Sequence, residues 1–535
     1  MQNKGLIEDK GNKDPKKLPF QDLFSSIKEE IALVSENKRM SADLLFMITY
    51  MTAITTAQAT RPEIFAYSAA RTEYAPSKYF AKVELFVKRW NFSYSQAMEV
   101  IAAKVRNDML RSMMNRYANS IMSGVPDEDF ISRELITIRS IYRNDYEQGL
   151  EMLKKWGDAY ISMLFSAAVI GIILMISVAI YSPGSAEQTL TSSHLIILAI
   201  SGFGLITMYR AVPSDQKTHP LIKKSKEQEI IKRMAPKVIP IALIAGLLLF
   251  FMSGNFGLAL LITGLVIIPL GIIGYLDDRN IVLRDSEFTV FIRSLGAVMS
   301  GKGLTITTAL QEIDRKSLPN LKFLINGVYS KLNLGLDEKQ VWNRFVGESG
   351  SDLIYKYLII FRDCVDLGGS SKEVGQVIGA SMLEQVLLRD KRNTISMGFM
   401  VLLIPMHTMM VGIFLFLYHI LLTMSEKIES VASQMGNPSN SLSGAGSISG
   451  GTFGGDGLGL FMNFPKETMN TYIIITIALI LISNILAGKI VMGGDRYMIF
   501  FIASLLMIVT GIVFIVSPII VGTFFNIAAF ESVGV

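Results

Sequence analysis

The sequence predicts an all-α membrane protein, with about seven transmembrane helices and two helical-bundle modules standing outside the bilayer. Three observations carry that prediction. Half of the 535 residues are hydrophobic and 18% are charged, too apolar for an ordinary soluble enzyme and too charged for a pure membrane bundle. Seven apolar runs approach or exceed the roughly 20 residues that a helix needs to cross a hydrocarbon core. Two long polar stretches between them repeat apolar residues at spacings of three and four, and almost nothing alternates as a strand does.

Taken in order, residues 1–39 open with "MQNKGLIEDKGNKDPKKLPF", polar and basic, and are expected to form a cytoplasmic arm rather than a signal peptide. Residues 40–158 form the first module. Leu44, Phe46, Met47 and Tyr50 mark its helical period, and Pro62, Pro76 and "SGVP" at 123–126 punctuate it. Runs 159–181 and 194–212 make a first transmembrane hairpin, 159–212. A basic loop, 213–237, leads to a second hairpin, 238–276, built from runs 238–253 and 256–276. The second module, 277–394, has its period in Phe288, Phe291, Ile292, Leu295 and Val298. Its breaks are "GKG" at 301–303, Pro319, Gly335 and "GESG" at 347–350. A fifth span, 395–423, then a Gly/Ser-rich extracytoplasmic loop, 424–469, precede the last segment, 470–535, with spans 470–488 and 497–521 and a short outer tail. Lys154 and Lys155 precede the first span and Lys391 and Arg392 the fifth. Each module's last helix is therefore expected to run directly into the membrane.

Basic residues set the orientation, because short cytoplasmic loops retain Lys and Arg. The loop 213–237 holds Lys217, Lys223, Lys224, Lys226, Lys232, Arg233 and Lys237, whereas 182–193 and the turn 253–255 have none. Seven crossings then put the N-terminus, both modules and the basic loop in the cytoplasm and the C-terminus outside. The same loop is expected to meet anionic lipid headgroups or an acidic partner.

The chemistry-bearing patterns point away from an enzyme, and no catalytic residue, cofactor or metal is expected. "GAVMSGKG", Gly296 to Gly303, misses the phosphate-loop pattern at its last place, where Gly303 replaces the magnesium-holding hydroxyl, and it follows a helical rather than a strand pattern. It reads as a helix-terminating turn. Asp277, Asp278 and Asp495 fall near the cytoplasmic face, where an intramembrane aspartyl peptidase keeps a proton-sharing pair. The glycine pattern of that class is broken by Met492, so they read as loop-capping carboxylates. His407 and His419, in the span that also contains Pro405, are about 18 Å apart along a helix and cannot share a metal. They read as interhelical hydrogen-bonding groups, with Pro405 bending the span. No span has an acidic or lysine residue in its middle, which disfavours an ion-coupled transporter. The single cysteine, Cys364, reads as a small core residue.

The two modules look like copies of one another. Asp43 and Asp285 are 242 residues apart, and Asp108 and Asp352 are 244 apart. "DMLRSMMNRYANSIMSG" from Asp108 and "DLIYKYLIIFRDCVDLGG" from Asp352 keep register through Tyr117 with Phe361 and Gly124 with Gly368. The second copy, "GESGSDLIYKYLIIFRDCVDLGGSSKEVGQVI" at 347–378 followed by a basic segment and a span, resembles the type II secretion system F domain of secretion and pilus platform proteins. Two such copies, with "LLIPMHTMMVGIFLFLYHILLTM" at 402–424 after the second, resemble the platform proteins of the archaellum, the archaeal rotary filament. The first copy departs from the pattern, with "SG" in place of "LGG" and "RNDMLRSMM" in place of "SGSDLIYKY".

The resemblance implies a duplicated F-like fold and a non-enzymatic, multi-pass platform in the cell membrane. Its implied partners are a hexameric secretion-type ATPase in the cytoplasm, archaellin or pilin filament subunits, membrane lipids and a second copy of itself, with no nucleic acid. The platform of a type IV-like pilus or type II secretion-like system is the alternative. ATPase docking is assigned to Lys223, Lys224, Lys226, Lys232 and Arg233 of the loop, and in the second module to Glu348, Asp352, Arg362, Asp363, Asp366, Arg389, Lys391 and Arg392.

Overall fold

Where apolar residues recur every three or four positions the chain is helical, and among the described residues no strand forms. The computed structural model describes residues 37, 39–181, 186–213, 215–434 and 465–531. The expectations for the N-terminal arm, for most of the Gly/Ser-rich loop and for the last residues lie outside them. In the first module run α1 (39–55), α2 (Arg61–Ala70), α3 (Ser77–Trp90), α4 (Tyr94–Ala102) and α5 (Asp108–Met122). Four longer helices follow, of 26 to 55 residues: α6 (Asp127–Tyr181), α7 (Ala186–Ala211), α8 (Lys226–Ser253) and α9 (Phe256–Lys302). Four short helices, α10 (Ile306–Glu312), α11 (Lys322–Asn333), α12 (Glu338–Ser349) and α13 (Asp352–Asp366), lead to α14 (Ser371–Gln434). The chain closes with α15 (Lys466–Met492) and α16 (Met498–Glu531). Seven of these helices, α6 to α9 and α14 to α16, are long and apolar enough to cross a membrane.

The chain divides into two units. One comprises the residues up to Met47 and Phe65–Val125; the other comprises Ile48–Ile64 and everything from Pro126 onward. In the first unit, Phe65 stacks on Tyr117 with ring centroids 5.6 Å apart and lies against Phe80 and Tyr94. Phe65, Phe80 and Tyr117 are fully buried and form a core that Phe46 and Tyr74 extend. Asp43 is buried and accepts the Ala75 backbone N–H at 3.1 Å and Arg39 Nε at 3.3 Å. Ser93 and Gln96 form a reciprocal capping box on α4.

The repeat predicted from spacing has a structural counterpart. Helices α5 and α13 each run 15 residues from the aligned aspartates. Asn107 and Ser351 cap their first turns through side-chain oxygens. The aligned Gly124 and Gly368 follow their last turns at φ of 73° and 83°, a left-handed conformation that stops a helix and suits glycine. The element order repeats as well, with four short helices leading to a helix of 55 residues in one case and 64 in the other.

In the second unit, close backbone approach packs the long helices, both along the apolar runs and in the second module. A Cβ on Gly271 of α9 would lie 2.7 Å from the Phe501 Cα of α16, and one on Gly296 would lie 2.2 Å from the Ser371 carbonyl oxygen at the start of α14. "GAVMSGKG" is the C-terminal end of α9, with Gly303 at φ 61° donating its N–H to Met299 O, so the turn reading holds. Cys364 is fully buried, as expected. A hydrogen-bonded chain ties four helices inside the bundle. Tyr160 OH donates to Asn484 Oδ1 at 3.0 Å, and Asn484 Nδ2 donates to His407 Nδ1 at 2.9 Å. That leaves the imidazole proton on Nε2, which donates to Thr510 Oγ1 at 2.9 Å. His407 thus makes the interhelical bonds expected of it. His419 does not: near the end of the span its half-buried ring packs beside Tyr418, and among the described residues it makes no side-chain hydrogen bond. Pro405 lies inside α14, on an exposed face of a helix that continues through it.

Candidate functional site

The site is built around the strap between α7 and α8, residues 213–225, whose polar and proline-containing sequence gives it no helical period. Lys217 and Thr218 of the strap pair with the backbone of the second module. Lys217 O accepts the Asp352 N–H at 2.9 Å, and Thr218 pairs with Ser351 as an isolated antiparallel bridge. Ser225 ends the strap and caps α8 by accepting the Gln228 N–H. The same serine donates to Asp277 Oδ1 at 2.7 Å, and Gln228 Nε2 donates to Asp277 Oδ2 at 2.9 Å.

Charged groups then lock the strap down. Lys217, 3% exposed, donates to both oxygens of Asp278 at 2.8 and 2.9 Å. Arg389 of α14 is shared between strap and module: its Nε and Nη2 donate to Asp215 Oδ1 at 2.9 and 2.7 Å, and its Nη1 donates to Asp285 Oδ2 at 2.7 Å. Ser351, the α13 cap, donates to the other Asp285 oxygen. Arg392 donates to Pro213 O at 3.3 Å and reaches toward Ile490 O of α15. His219 is buried; its Nδ1 accepts the Leu221 N–H, so its Nε2 carries the proton that reaches Gly347 O at 3.3 Å.

The electrostatics follow from burial and neighbours. Burial pushes Asp277 up to about 6, its two hydrogen bonds notwithstanding. Burial also outweighs Arg389 at Asp285, which is pushed up to about 6. Asp215 goes the other way: burial raises it, but Arg389, Arg392 and Lys217 together bring it below the usual carboxylate range. Arg389, flanked by the two carboxylates, is held more firmly protonated despite its burial. Burial, aided by Lys224, pushes His219 down to about 4, so it stays neutral at physiological pH. Asp277 and Asp278 are each engaged by separate partners in this clasp, and Asp495, the carboxylate that a peptidase reading would pair with them, accepts from Thr218 Oγ1 at 3.4 Å. Among the described residues no group of three or more His, Cys, Asp or Glu side chains could hold a metal ion.

Beside the clasp lies a cleft of about 640 Å³ between the end of the strap, the start of α8, and α11 and α12. It brings together Lys223, Lys224, Lys226 and Glu348 from the docking set, and joins them with Arg284, Lys331, Arg344 and Phe323. Three of the docking residues correct the expectation. Asp352, Arg389 and Arg392 are 2%, 5% and 3% exposed, and their charges are used inside the fold, Asp352 by Lys356 at 3.2 Å and the two arginines by the strap. A partner cannot reach them. Lys391 and Asp366 are exposed, the former paired with Glu147 of α6, and Arg362 and Asp363 are half-buried on α13. Lys232 and Arg233 are exposed on α8 but do not line the cleft. The sequence reading missed the roles of Asp215, Lys217, His219 and Arg389 in the clasp, because their partners are 61 to 174 residues away. Asp285 had carried one signal, as a marker of the repeat.

Comparison with known proteins places this geometry. Residues 291–419, which run from α9 to the fifth span and include Arg389, match the family of type II secretion system (T2SS) protein F. The chain is thus a multi-pass helical membrane protein with a type II secretion F domain. A protein named Flagella accessory protein J from Methanocaldococcus jannaschii is 23% identical over 376 residues, 68% of this chain and 66% of the relative. Its namesake from Methanococcus voltae is 22% identical over 321 residues, 58% of this chain and 57% of the relative. The chain therefore matches less than two thirds of the length of either relative. The chain is thus similar to both of these relatives, and its residues 291–419 are similar to the type II secretion F family. No solved structure matches it.

Proposed function

We propose that the chain is the membrane platform of an archaellum motor, coupling a hexameric cytoplasmic secretion-type ATPase to filament assembly and rotation. In this reading the N-terminus, both modules and the strap face the cytoplasm and the C-terminus faces outward, in keeping with the Lys and Arg concentrated in 213–237. The platform has no catalytic role of its own. It works as a homodimer, receives force from nucleotide hydrolysis by the ATPase, and passes it to archaellin subunits.

The observation that supports this reading best is α14. It is one uninterrupted 64-residue helix, roughly 96 Å long at 1.5 Å per residue, whose first part belongs to the F domain and whose apolar part spans the bilayer. Helix α9 makes the reverse passage over 47 residues. Arg389 clamps the two through Asp285, so a displacement of the module must be carried into the spans rather than absorbed in a loop.

The test is reconstitution of the full chain in nanodiscs with a secretion-type ATPase from the same organism. Binding in the presence of nucleotide, with no hydrolysis by the platform alone, is the expected result. ATP cleavage by the purified platform, or failure to bind the ATPase, would overturn the reading. Deleting the gene should abolish swimming and archaella while leaving pili; loss of pili with archaella intact would transfer the proposal to a type IV-like pilus.

A further inference from the structure

The cleft beside the strap carries more positive charge than its own carboxylates neutralise. Six cations line it, Lys223, Lys224, Lys226, Arg284, Lys331 and Arg344. Only Glu227, Glu229 and Glu348 oppose them. Glu348 is taken by Arg344 at 2.8 Å and Lys223 at 3.5 Å, and Glu227 faces Arg284 at 3.7 Å. Lys226 and Lys331 form no direct ion pair among the described residues. Phe323 stands 70% exposed at the lip with the Lys226 ammonium 5.1 Å from its ring centre, and Ile222, next to Lys223 in the chain, is 97% exposed. Large apolar side chains left exposed beside an excess of positive charge mark an interaction surface, and the charge selects an acidic partner.

Two occupants share the anionic chemistry, lipid headgroups and an acidic polypeptide, and the position of the cleft separates them. Along α8, Lys226 precedes the apolar run that starts at residue 238 by twelve residues, roughly 18 Å of helix. The headgroup layer takes up roughly 5–8 Å of that length, which leaves the cleft a little more than one Debye length away and weakens the pull of lipid charge on it. Lys232, Arg233 and Lys237 lie nearer the membrane and are the ones left for lipid.

We infer that the cleft formed by residues 223–229, α11 and α12 is the seat of an acidic partner segment bearing an apolar anchor, with the carboxylates against Lys226 and Lys331 and the anchor against Phe323. The inference rests on the platform reading for the identity of the partner, the ATPase, but not for the chemistry of the segment.

Two sets of variants test it in the full chain in nanodiscs: Lys226→Glu with Lys331→Glu, and Phe323→Ala. None of these side chains is in an ion pair, and Phe323 is exposed, so the fold is not at risk. The probes are the ATPase and a fluorescein-labelled Glu-rich peptide carrying Leu and Phe, with its Gln-for-Glu counterpart as control. Wild type should prefer the Glu peptide, and the double reversal should weaken both peptide and ATPase binding about tenfold or more, an effect that fades as salt rises. Phe323→Ala should weaken both with little change in salt dependence. Unchanged binding of both probes by all variants would overturn the cleft while leaving the platform reading intact. Loss of binding to phosphatidylglycerol vesicles, with ATPase binding kept, would overturn it in favour of lipid. If wild type captures the peptide but no ATPase, the cleft stands and the platform reading falls.

Discussion

Arg389 carries the most consequence of any single residue. It is buried between Asp215 and Asp285, and removing it leaves two carboxylates uncompensated in the interior. Breaking a buried pair by deleting one partner costs about 3–5 kcal/mol, whereas replacing all its members costs far less. Arg389→Met should therefore lower the thermal midpoint in detergent sharply, and adding Asp215→Asn and Asp285→Asn should recover much of the loss. A midpoint unchanged in the single variant would mean the clasp contributes nothing. The titratable neighbours make a second prediction, and its sign differs from group to group. Asp277 and Asp285, which lie beyond the apolar run of α9, are raised from 3.8 to about 6; their contribution is present below 3.8 and lost as pH rises through 6. His219 is lowered from 6.5 to about 4, so its contribution is present above 6.5 and lost as pH falls toward 4. Between those limits the two effects oppose. The Asp277→Asn, Asp285→Asn variant exposes the histidine loss, so acidification from about pH 7 to about pH 4.5 should lower its midpoint more steeply than that of wild type. Parallel curves would remove the carboxylates from the proton balance. Neither role was legible in the sequence, where Arg389 reads as one of the basic docking residues ahead of a span.

At the scale of elements, helix pairs that touch backbone to backbone admit no side chain between them. Helices α9 and α14 meet at Gly296, where any Cβ collides with the Ser371 carbonyl, and relief requires moving one helix rather than turning a rotamer. Gly296→Val should destabilise by about 1–3 kcal/mol or more in a thermal melt, while Gly301→Ala, whose Cβ would meet nothing within 4 Å, should stay within about 1 kcal/mol of wild type. Equal effects at the two sites would contradict the close approach. Existence and type of the helices were readable because burial of one stripe imposes a period of three and four, as in Phe288, Phe291, Ile292 and Leu295, all of them now in the core. The stops were readable too, since Gly124, Gly303 and Gly368 occupy left-handed positions that glycine fills without strain. Which helices pair was not. The brace from Tyr160 through Asn484 and His407 to Thr510 joins four spans whose sequences carry only the hint of polar residues in apolar runs.

For the whole molecule, the strap makes the second module incomplete as a contiguous stretch of chain. A fragment of residues 280–394 retains Asp285 and Arg389 but lacks Asp215, and the backbone N–H of Asp352 loses its acceptor on Lys217. The fragment should melt at a lower temperature alone than with the strap, residues 213–225, joined to it by a flexible linker, as followed by circular dichroism; identical melts would mean that the strap is carried by the module rather than part of it. The sequence by itself determined the helical class, the seven apolar helices and the duplicated order of elements, because solvent and bilayer act on each segment locally and leave a period, a length and a cap to read. Only the tertiary structure decided which charges are spent inside and which remain at the surface. Lys217 and Lys226 are alike in composition and nine residues apart, yet one is buried on Asp278 and the other stands over Phe323 at the mouth of a cleft. A charge is solvated or paired according to what distant segments bring within a few ångströms of it, and that distance is set by packing rather than by position in the chain.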